Sequence, residues 1–393
     1  MSLPGDGAPM QDLLADGPAE GRERSGTALC LSGGGYRAMV FHAGVLSGLN
    51  ELGRLRRLDF VSSVSGGSLA AGVLALAWPK LRFDDGTGRA TNLDELVLRP
   101  LRDMARSDVD RPSVIGGLLT PRQRISDRVA DAYREHLFGD ATLQDLPDSP
   151  RFVFCATNLQ TASLFRFSKP YVADYRLGLA RRLAVPLAVA VGASSAFPPY
   201  LSPATLRIPA GAWDPTVPQE LAEGVRDPIV LTDGGVYDNL GLEPVIKRCT
   251  EILVSNGGGY VGHPARIPVD WLRHLQRVSG VVDHQVRNLR KRMLVEGYRR
   301  ADYRGAYWSI RSAVADYLPL PADAPDPLPF PPARAQQLAA VPTRLARLGD
   351  ADVEDLLRWG RVISDTAMRR WVVAPAGTPA APGAAGGTAS GPP

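Results

Sequence analysis

An α/β fold, built on a mostly parallel central sheet flanked by helices, is what this sequence predicts. Two observations carry the prediction. From Thr27 to about residue 260, short apolar runs of strand length alternate with stretches whose apolar residues recur at helical spacing. Glycine-rich turns stand where a strand gives way to a helix, at Gly33, Gly34 and Gly35 and again at Ser65-Gly66-Gly67. With 393 residues and 45% apolar content, the chain can bury one large core and still carry appendages.

Residues 27–32 (TALCLS) read as a short buried strand, and Phe41, Val45, Leu49 and Leu52 then mark a helix that Gly53 ends as a C-cap residue. Residues 59–64 (DFVSSV) form the second strand, and 69–78 a small, apolar, buried helix. The segment 93–145 is amphipathic and mostly helical. Residues 151–157 (RFVFCAT) and 164–168 (LFRFS) alternate like strands, and 177–193 is expected as a helix kinked at Pro186. Residues 229–232 and 251–255 supply two more strands. Beyond about residue 265 the pattern turns helical and basic, and 335–372 is helical after the proline-rich run 319–332. The expected organisation is a tail at 1–25, a catalytic domain at 26–262, an appended, mainly helical C-terminal region at 263–373 and a low-complexity tail at 374–393. Both tails lack the composition to bury a core and are expected to be disordered.

Bulk properties narrow the function. The net charge is +4, and the only lysines are Lys80, Lys169, Lys247 and Lys291. Basic, aromatic-interleaved patches of the kind that bind nucleic acid do not run through any domain, so no nucleic-acid partner is expected. Cys30, Cys155 and Cys249 are odd in number and show no CxxC spacing, which predicts buried reduced thiols and a reducing compartment. The N-terminal residues have neither a basic n-region nor an apolar h-region. No window approaches the roughly 20 apolar residues of a membrane span. The expected location is cytoplasmic, with room for peripheral membrane contact; the oligomeric state is left open.

The chemistry gathers at three places. Ser65 occupies a strand–turn–helix position, in Ser63-Val64-Ser65-Gly66-Gly67, that suits a nucleophile elbow. Such a turn demands small neighbours, here including Gly67, and exposes the serine oxygen at the carboxyl end of the sheet; a glycine–serine turn without chemistry is the alternative. The loop Gly33-Gly34-Gly35-Tyr36-Arg37-Ala38 could aim backbone N–H groups at an oxyanion, with Arg37 pinning the loop through a carboxylate or backbone carbonyls. The same loop also satisfies the dinucleotide fingerprint G-x-G-x-x-G/A. That rival reading needs an acidic residue at the end of the next strand, whereas Asp59, 21 residues beyond Ala38, opens it. Asp233-Gly234-Gly235 follows an apolar strand, which puts a carboxylate at the same edge of the sheet. Burial would raise its pKa and make it a better base. None of His42, His136, His263, His274 and His284 stands in a triad context, and no metal or cofactor is expected.

Together these blocks resemble the patatin-like phospholipases. The glycine loop is similar to the family's oxyanion block, Ser65 to its catalytic serine, and Asp233-Gly234-Gly235 to its DG[AG] block, continued here as DGGVYDNLGL. Residues 193–203 (ASSAFPPYLSP) and 155–168 (CATNLQTASLFRFS) resemble two further segments. Ser63 replaces the first glycine of the elbow and Ala38 the last of the loop. The resemblance covers about residues 27–260. It implies a patatin-type fold, a Ser65–Asp233 dyad, and metal-free hydrolysis of fatty-acyl esters of phospholipids or related glycerolipids through an acyl-serine. A non-catalytic lipid-binding or scaffolding protein and a dinucleotide-dependent oxidoreductase are the alternatives.

Val278, Val282, Val286, Leu289 and Met293 recur at helical intervals among Arg287, Arg290, Lys291, Arg292, Arg299, Arg300 and Arg304. The expected arrangement is a helix docked by this apolar stripe with its charges in solvent. The alternative is a surface that meets anionic lipid head groups.

Overall fold

The computed structural model describes residues 24–109, 125–215, 225–259 and 270–373, with 262, 267 and 269 between the last two. The tails predicted at 1–25 and 374–393 lie outside the described residues, apart from Arg24 and Ser25. One sheet organises the chain. Its strands are β1 (Thr27–Leu31), β2 (Phe60–Val64), β3 (Arg151–Asn158), β4 (Ser163–Phe167), β5 (Tyr171–Asp174), β6 (Gly178–Arg181), β7 (Ala204–Leu206), β8 (Ile229–Asp233), β9 (Glu251–Asn256) and β10 (Arg304–Ser309). They lie in the order β10-β9-β1-β2-β3-β4-β5-β6, with β8 pairing both β3 and β7. The run from β10 to β3 is parallel. The pairings of β4 to β8 are antiparallel.

The helices are α1 (Gly35–Glu51), α2 (Gly66–Ala77), α3 (Arg99–Ala105), α4 (Ile125–Tyr133), α5 (Leu187–Ser194), α6 (Gly235–Asp238), α7 (Trp271–Arg299), α8 (Pro332–Ala340) and α9 (Asp350–Trp371). Strands β1 and β2 are short and almost wholly buried, as parallel strands covered on both faces must be. Helix α1 is buried nearly all round, because α9 lies along the flank that the sheet leaves uncovered. Gly44 and Gly360 sit at that crossing, where a Cβ would collide with the backbone carbonyls of Leu357 and Phe41 respectively. The C-terminal region therefore contributes to the core: α9 covers α1, and β10 extends the parallel sheet beyond β9. This strand was not legible among the basic helical pattern around it.

Two further departures have plain causes. Residues 177–193 are not one helix: 178–181 form β6 and pair with β5, and α5 starts only after Pro186, which serves as its N-cap. Proline lacks the N–H a helix interior needs, so it begins this helix instead of kinking it. Strands of four residues such as β5 and β6 carry too little period to be told from a helix. The segment 93–145 is mostly helical where described, with π-helical turns at Asp94–Leu98 and Arg134–Phe138 beside α3 and α4. Cys30, Cys155 and Cys249 are buried free thiols.

Candidate active site

Ser65 and Asp233 meet because two strands share one lane of the sheet. Residues 60–64 of β2 pair with 151–155 of β3. Past Val64 the lane is taken by β8, which runs the other way and sets Asp233 opposite Ala156. The carboxyl ends of β2 and β8 thus face each other, and the next residue after β2 is Ser65. Asp233 was expected at the end of a strand of a mostly parallel sheet; it reaches the site from an antiparallel one.

The backbone at Ser65 is strained, with φ 52° and ψ −122°. Such a conformation persists only where neighbours over-determine it. Here the Ser65 N–H donates to Ser194 Oγ (3.0 Å), which donates to the Cys155 carbonyl (2.7 Å). A Cβ at Gly66 would collide with Gly35 O, and one at Gly67 with Leu31 O, so α2 can start this close to the glycine loop only through glycine. Ser65 is the N-cap of α2, yet its side chain makes no capping hydrogen bond, which leaves Oγ to act on the Asp233 carboxyl. The other hydroxyls nearby are engaged: Ser63 Oγ donates to the Val153 carbonyl (3.3 Å) and Ser68 Oγ to Ser63 Oγ (3.0 Å).

Asp233 is buried, and its Oδ1 accepts the Gly235 N–H at 2.7 Å. Its Oδ2 is also buried and makes no full hydrogen bond among the described residues. Burial pushes its carboxyl up to about 6, against the opposing pull of the Gly235 N–H and the neighbouring Ser65 hydroxyl; the negative charge of Asp283 adds to the rise. A side chain at Gly234 would collide with the Cys155 carbonyl, and one at Gly235 would crowd Asp233 Oδ1, so both glycines let the chain turn tightly beneath the carboxylate.

The three loop glycines are not equivalent. The Gly33 N–H donates to the Asn239 carbonyl at 3.2 Å and is already used. The N–H groups of Gly34 and Gly35 make no hydrogen bond among the described residues, and both backbones take positive φ, 143° and 61°. Gly66, whose backbone touches Gly35, presents a third such amide at the start of α2. Arg37 is buried and donates to three backbone carbonyls: Ala339 (3.1 Å), Val341 (2.7 Å) and Gly257 (2.8 Å). Burial lowers it to about 10, helped by the charges of Arg311 and Arg287, so it stays protonated at neutral pH. It clamps the loop to the C-terminal region through carbonyls.

His42 is fully buried between the Ser32 carbonyl (2.9 Å, Nε2) and the Ser255 hydroxyl (2.8 Å, Nδ1), and burial lowers it to about 4. It is neutral and holds β1 against β9. Asp59 sits at the amino end of β2, with its Oδ2 on the Thr27 N–H (2.8 Å). That is the opposite edge of the sheet from the glycine loop, so it cannot serve a dinucleotide bound there. Among the described residues no group of His, Cys, Asp or Glu side chains could hold a metal ion. Reading by motif passed over Ser194, Gly66 and Asn239. The amide after an elbow serine is a usual oxyanion donor, which was the available signal for Gly66.

Helix α7 reverses the expected docking. Val278, Val282, Leu289 and Met293 are exposed, while Arg287 and Arg290 point inward. The cause is the buried carboxylate of Asp238, which Arg290 approaches at 3.5 Å while also binding Glu243 at 3.0 Å. A buried carboxylate left without a cation costs more than exposing a few valines. No helix among the described residues is long and apolar enough to cross a membrane.

A family model described as patatin-like phospholipase matches residues 29–246. Among solved structures, human GIVD cytosolic phospholipase A2 is similar at 14% identity, covering 88% of this chain and 58% of that one, with a TM-score of 0.49. Another structure of that protein, in complex with methyl gamma-linolenyl fluorophosphonate, matches at 15% identity over 88% of this chain and 57% of that one, TM-score 0.48. VipD from Legionella pneumophila matches at 16% identity over 86% and 67%, TM-score 0.31. The chain therefore spans less than two thirds of the length of the human protein it resembles. No curated protein matches. Since the family model takes in more than half of its residues, including the glycine loop, Ser65 and Asp233, this chain belongs to the patatin-like phospholipase family.

Proposed function

We propose that this protein hydrolyses fatty-acyl esters of lipids by a Ser65–Asp233 dyad. The observation that carries the reading is the buried Oδ2 of Asp233 at the carboxyl end of β8, without a full hydrogen bond, beside a strained serine whose hydroxyl makes no capping bond and acts on that carboxyl. Asp233 takes the Ser65 proton as Oγ attacks the ester carbonyl. The N–H groups of Gly34, Gly35 and Gly66 receive the oxyanion, and each such donor is worth about 3–4 kcal/mol in the transition state. The Asp233 carboxyl then returns the proton to the departing alcohol, leaving an acyl-serine. Water gives a proton to Asp233 and attacks the acyl-serine; collapse frees the fatty acid and restores the Ser65 hydroxyl.

An alkyl fluorophosphonate tests this directly. Ser65 should become covalently phosphonylated with one label per chain, and Asp233→Asn should slow labelling by about 100-fold or more. Labelling at any other serine, or none, would sink the dyad.

The substrate side of the reading draws on α7. Trp271 is 77% and Val269 97% exposed, and Leu275, Val278 and Val282 continue an outward apolar face interspersed with arginines. Gln276 Nε2 on α7 donates to the hydroxyl of Tyr200 (3.2 Å), itself exposed beside exposed Phe197 in the segment leading into β7. This face suits contact with a lipid surface. Trp271→Ser with Val278→Ser should reduce co-sedimentation with anionic vesicles by about 10-fold; undiminished sedimentation would remove α7 from the contact.

A further inference from the structure

Both members of the dyad are mounted on one three-residue segment, 194–196, where α5 ends. Ser194 is wholly buried. Its hydroxyl accepts the Ser65 N–H at 3.0 Å, donates to the Cys155 carbonyl at 2.7 Å and lies 2.8 Å from Ser68 Oγ. A hydroxyl has one proton and two lone pairs, so this one is fully used and is no rival nucleophile. Its anchor on β3 lies where the neighbouring lane changes hands. Cys155 is the last residue of β3 to pair with β2, and Ala156 pairs with Asp233 of β8.

The same segment holds the base through its backbone. The Ser194 carbonyl accepts the Gly234 N–H at 3.2 Å. The Ala196 carbonyl accepts both the Asp233 N–H (3.0 Å) and the Thr232 hydroxyl (3.0 Å). Nucleophile and base are thus tied to each other through the end of α5 as well as through the sheet. The next serine is turned elsewhere: Ser195 Oγ donates to the Val191 carbonyl (2.8 Å) within α5 and lies 3.1 Å from Tyr133 OH on α4.

We propose that Ser194 is a positioning residue for the reaction, whose hydroxyl fixes where Ser65 stands relative to an Asp233 held by the same segment. The inference rests on the dyad reading and deepens it. Ser65 has a physical reason to leave its place, because its backbone is strained at φ 52°. Without the Ser194 hydroxyl, the Ser65 N–H loses its acceptor and the Cys155 carbonyl loses a donor, both in a buried setting. The turn is then released toward ordinary backbone angles, and Oγ moves off the carboxyl. A displacement of about 1 Å in a reacting group costs roughly 100-fold in rate.

A double-mutant cycle on the full-length chain, read by the rate of fluorophosphonate labelling at Ser65, tests the assignment. Ser194→Ala should slow labelling by about 100-fold. It should lower kcat on a chromogenic acyl ester to match, with KM within about 3-fold of the parent. Ser68→Ala removes a hydroxyl from the same buried cluster without touching the Ser65 N–H. It should shift the urea midpoint comparably and label within about 3-fold of the parental rate. In an Asp233→Asn background, loss of the Ser194 hydroxyl should cost less than about 10-fold, since no base remains for Ser65 to be aligned with. Ser194→Cys keeps the side chain's shape with only a weak S–H group. It should show the same slowing, and it decides the matter where the alanine variant does not fold. A parental labelling rate in the Ser194 variants, equal slowing by Ser68→Ala, or an undiminished cost in the Asp233→Asn background would overturn the assignment. Absence of label on Ser65 in the parent would instead strike the dyad reading itself.

Discussion

Ser65→Ala is expected to lower kcat for acyl-ester hydrolysis by about 10^3- to 10^6-fold, the range over which serine nucleophiles are lost in other hydrolases. The chain should keep its fold. Ser65 Oγ makes no capping bond, and what the elbow needs from this residue is its N–H, held by Ser194 Oγ. Alanine can keep that backbone bond. The other hydroxyls of the elbow cannot take over, because Ser63 and Ser68 are bonded into the chain that ends on the Val153 carbonyl. Continuous assay with a chromogenic acyl ester, alongside urea unfolding, separates the two effects. Full activity in the variant would remove Ser65 from the chemistry.

Asp233→Asn should be nearly as damaging to activity, by about 10^4-fold, and should at the same time stabilise the protein. The sign follows from burial. The folded-state pKa is pushed up to about 6, above the usual carboxylate value. The folded chain thus holds this proton more tightly than the unfolded chain does. That contribution to stability is complete below about pH 4 and is lost as pH rises through 6. At pH 8 the ionised, buried carboxylate costs about 3 kcal/mol, because each tenfold loss of acidity on folding corresponds to roughly 1.4 kcal/mol. Asparagine carries no charge to bury, so the melting temperature of the variant should exceed that of the parent at pH 8 and approach it near pH 4. In the parent, activity should rise with pH through about 6 and then level off, since the base must be ionised to accept the Ser65 proton. A variant less stable than the parent at pH 8, or a parent rate that falls across pH 5–7, would contradict both the burial of the charge and its role as base.

A cost in stability of this kind accompanies every local rule broken around the site. A non-glycine residue sits at φ 52°, a carboxylate oxygen is buried without a full hydrogen bond, and two glycine-bearing backbones are pressed together at Gly35 and Gly66. Consistent folding at every other level carries these costs.

What the sequence determined by itself was whatever depends on near neighbours in the chain. The parallel strands β1, β2 and β9 declare themselves through short, largely apolar runs, and the elbow and the glycine loop through small residues where a strand must turn abruptly into a helix. Gly53 ends α1 by the same local logic. Tertiary structure alone decided what depends on distant partners. The meeting of Ser65 with Asp233 arises from β8 entering the lane of β2 from the opposite direction, and no local period encodes which lane a strand will fill. Strands β5, β6 and β10 are set by pairing, too short or too embedded in helical pattern to show a period of their own. The facing of α7 was decided by Asp238, a buried carboxylate far away in sequence that draws Arg290 inward and leaves the valines outside. Charge burial outweighs a modest apolar stripe, and only the folded chain says where that charge is buried.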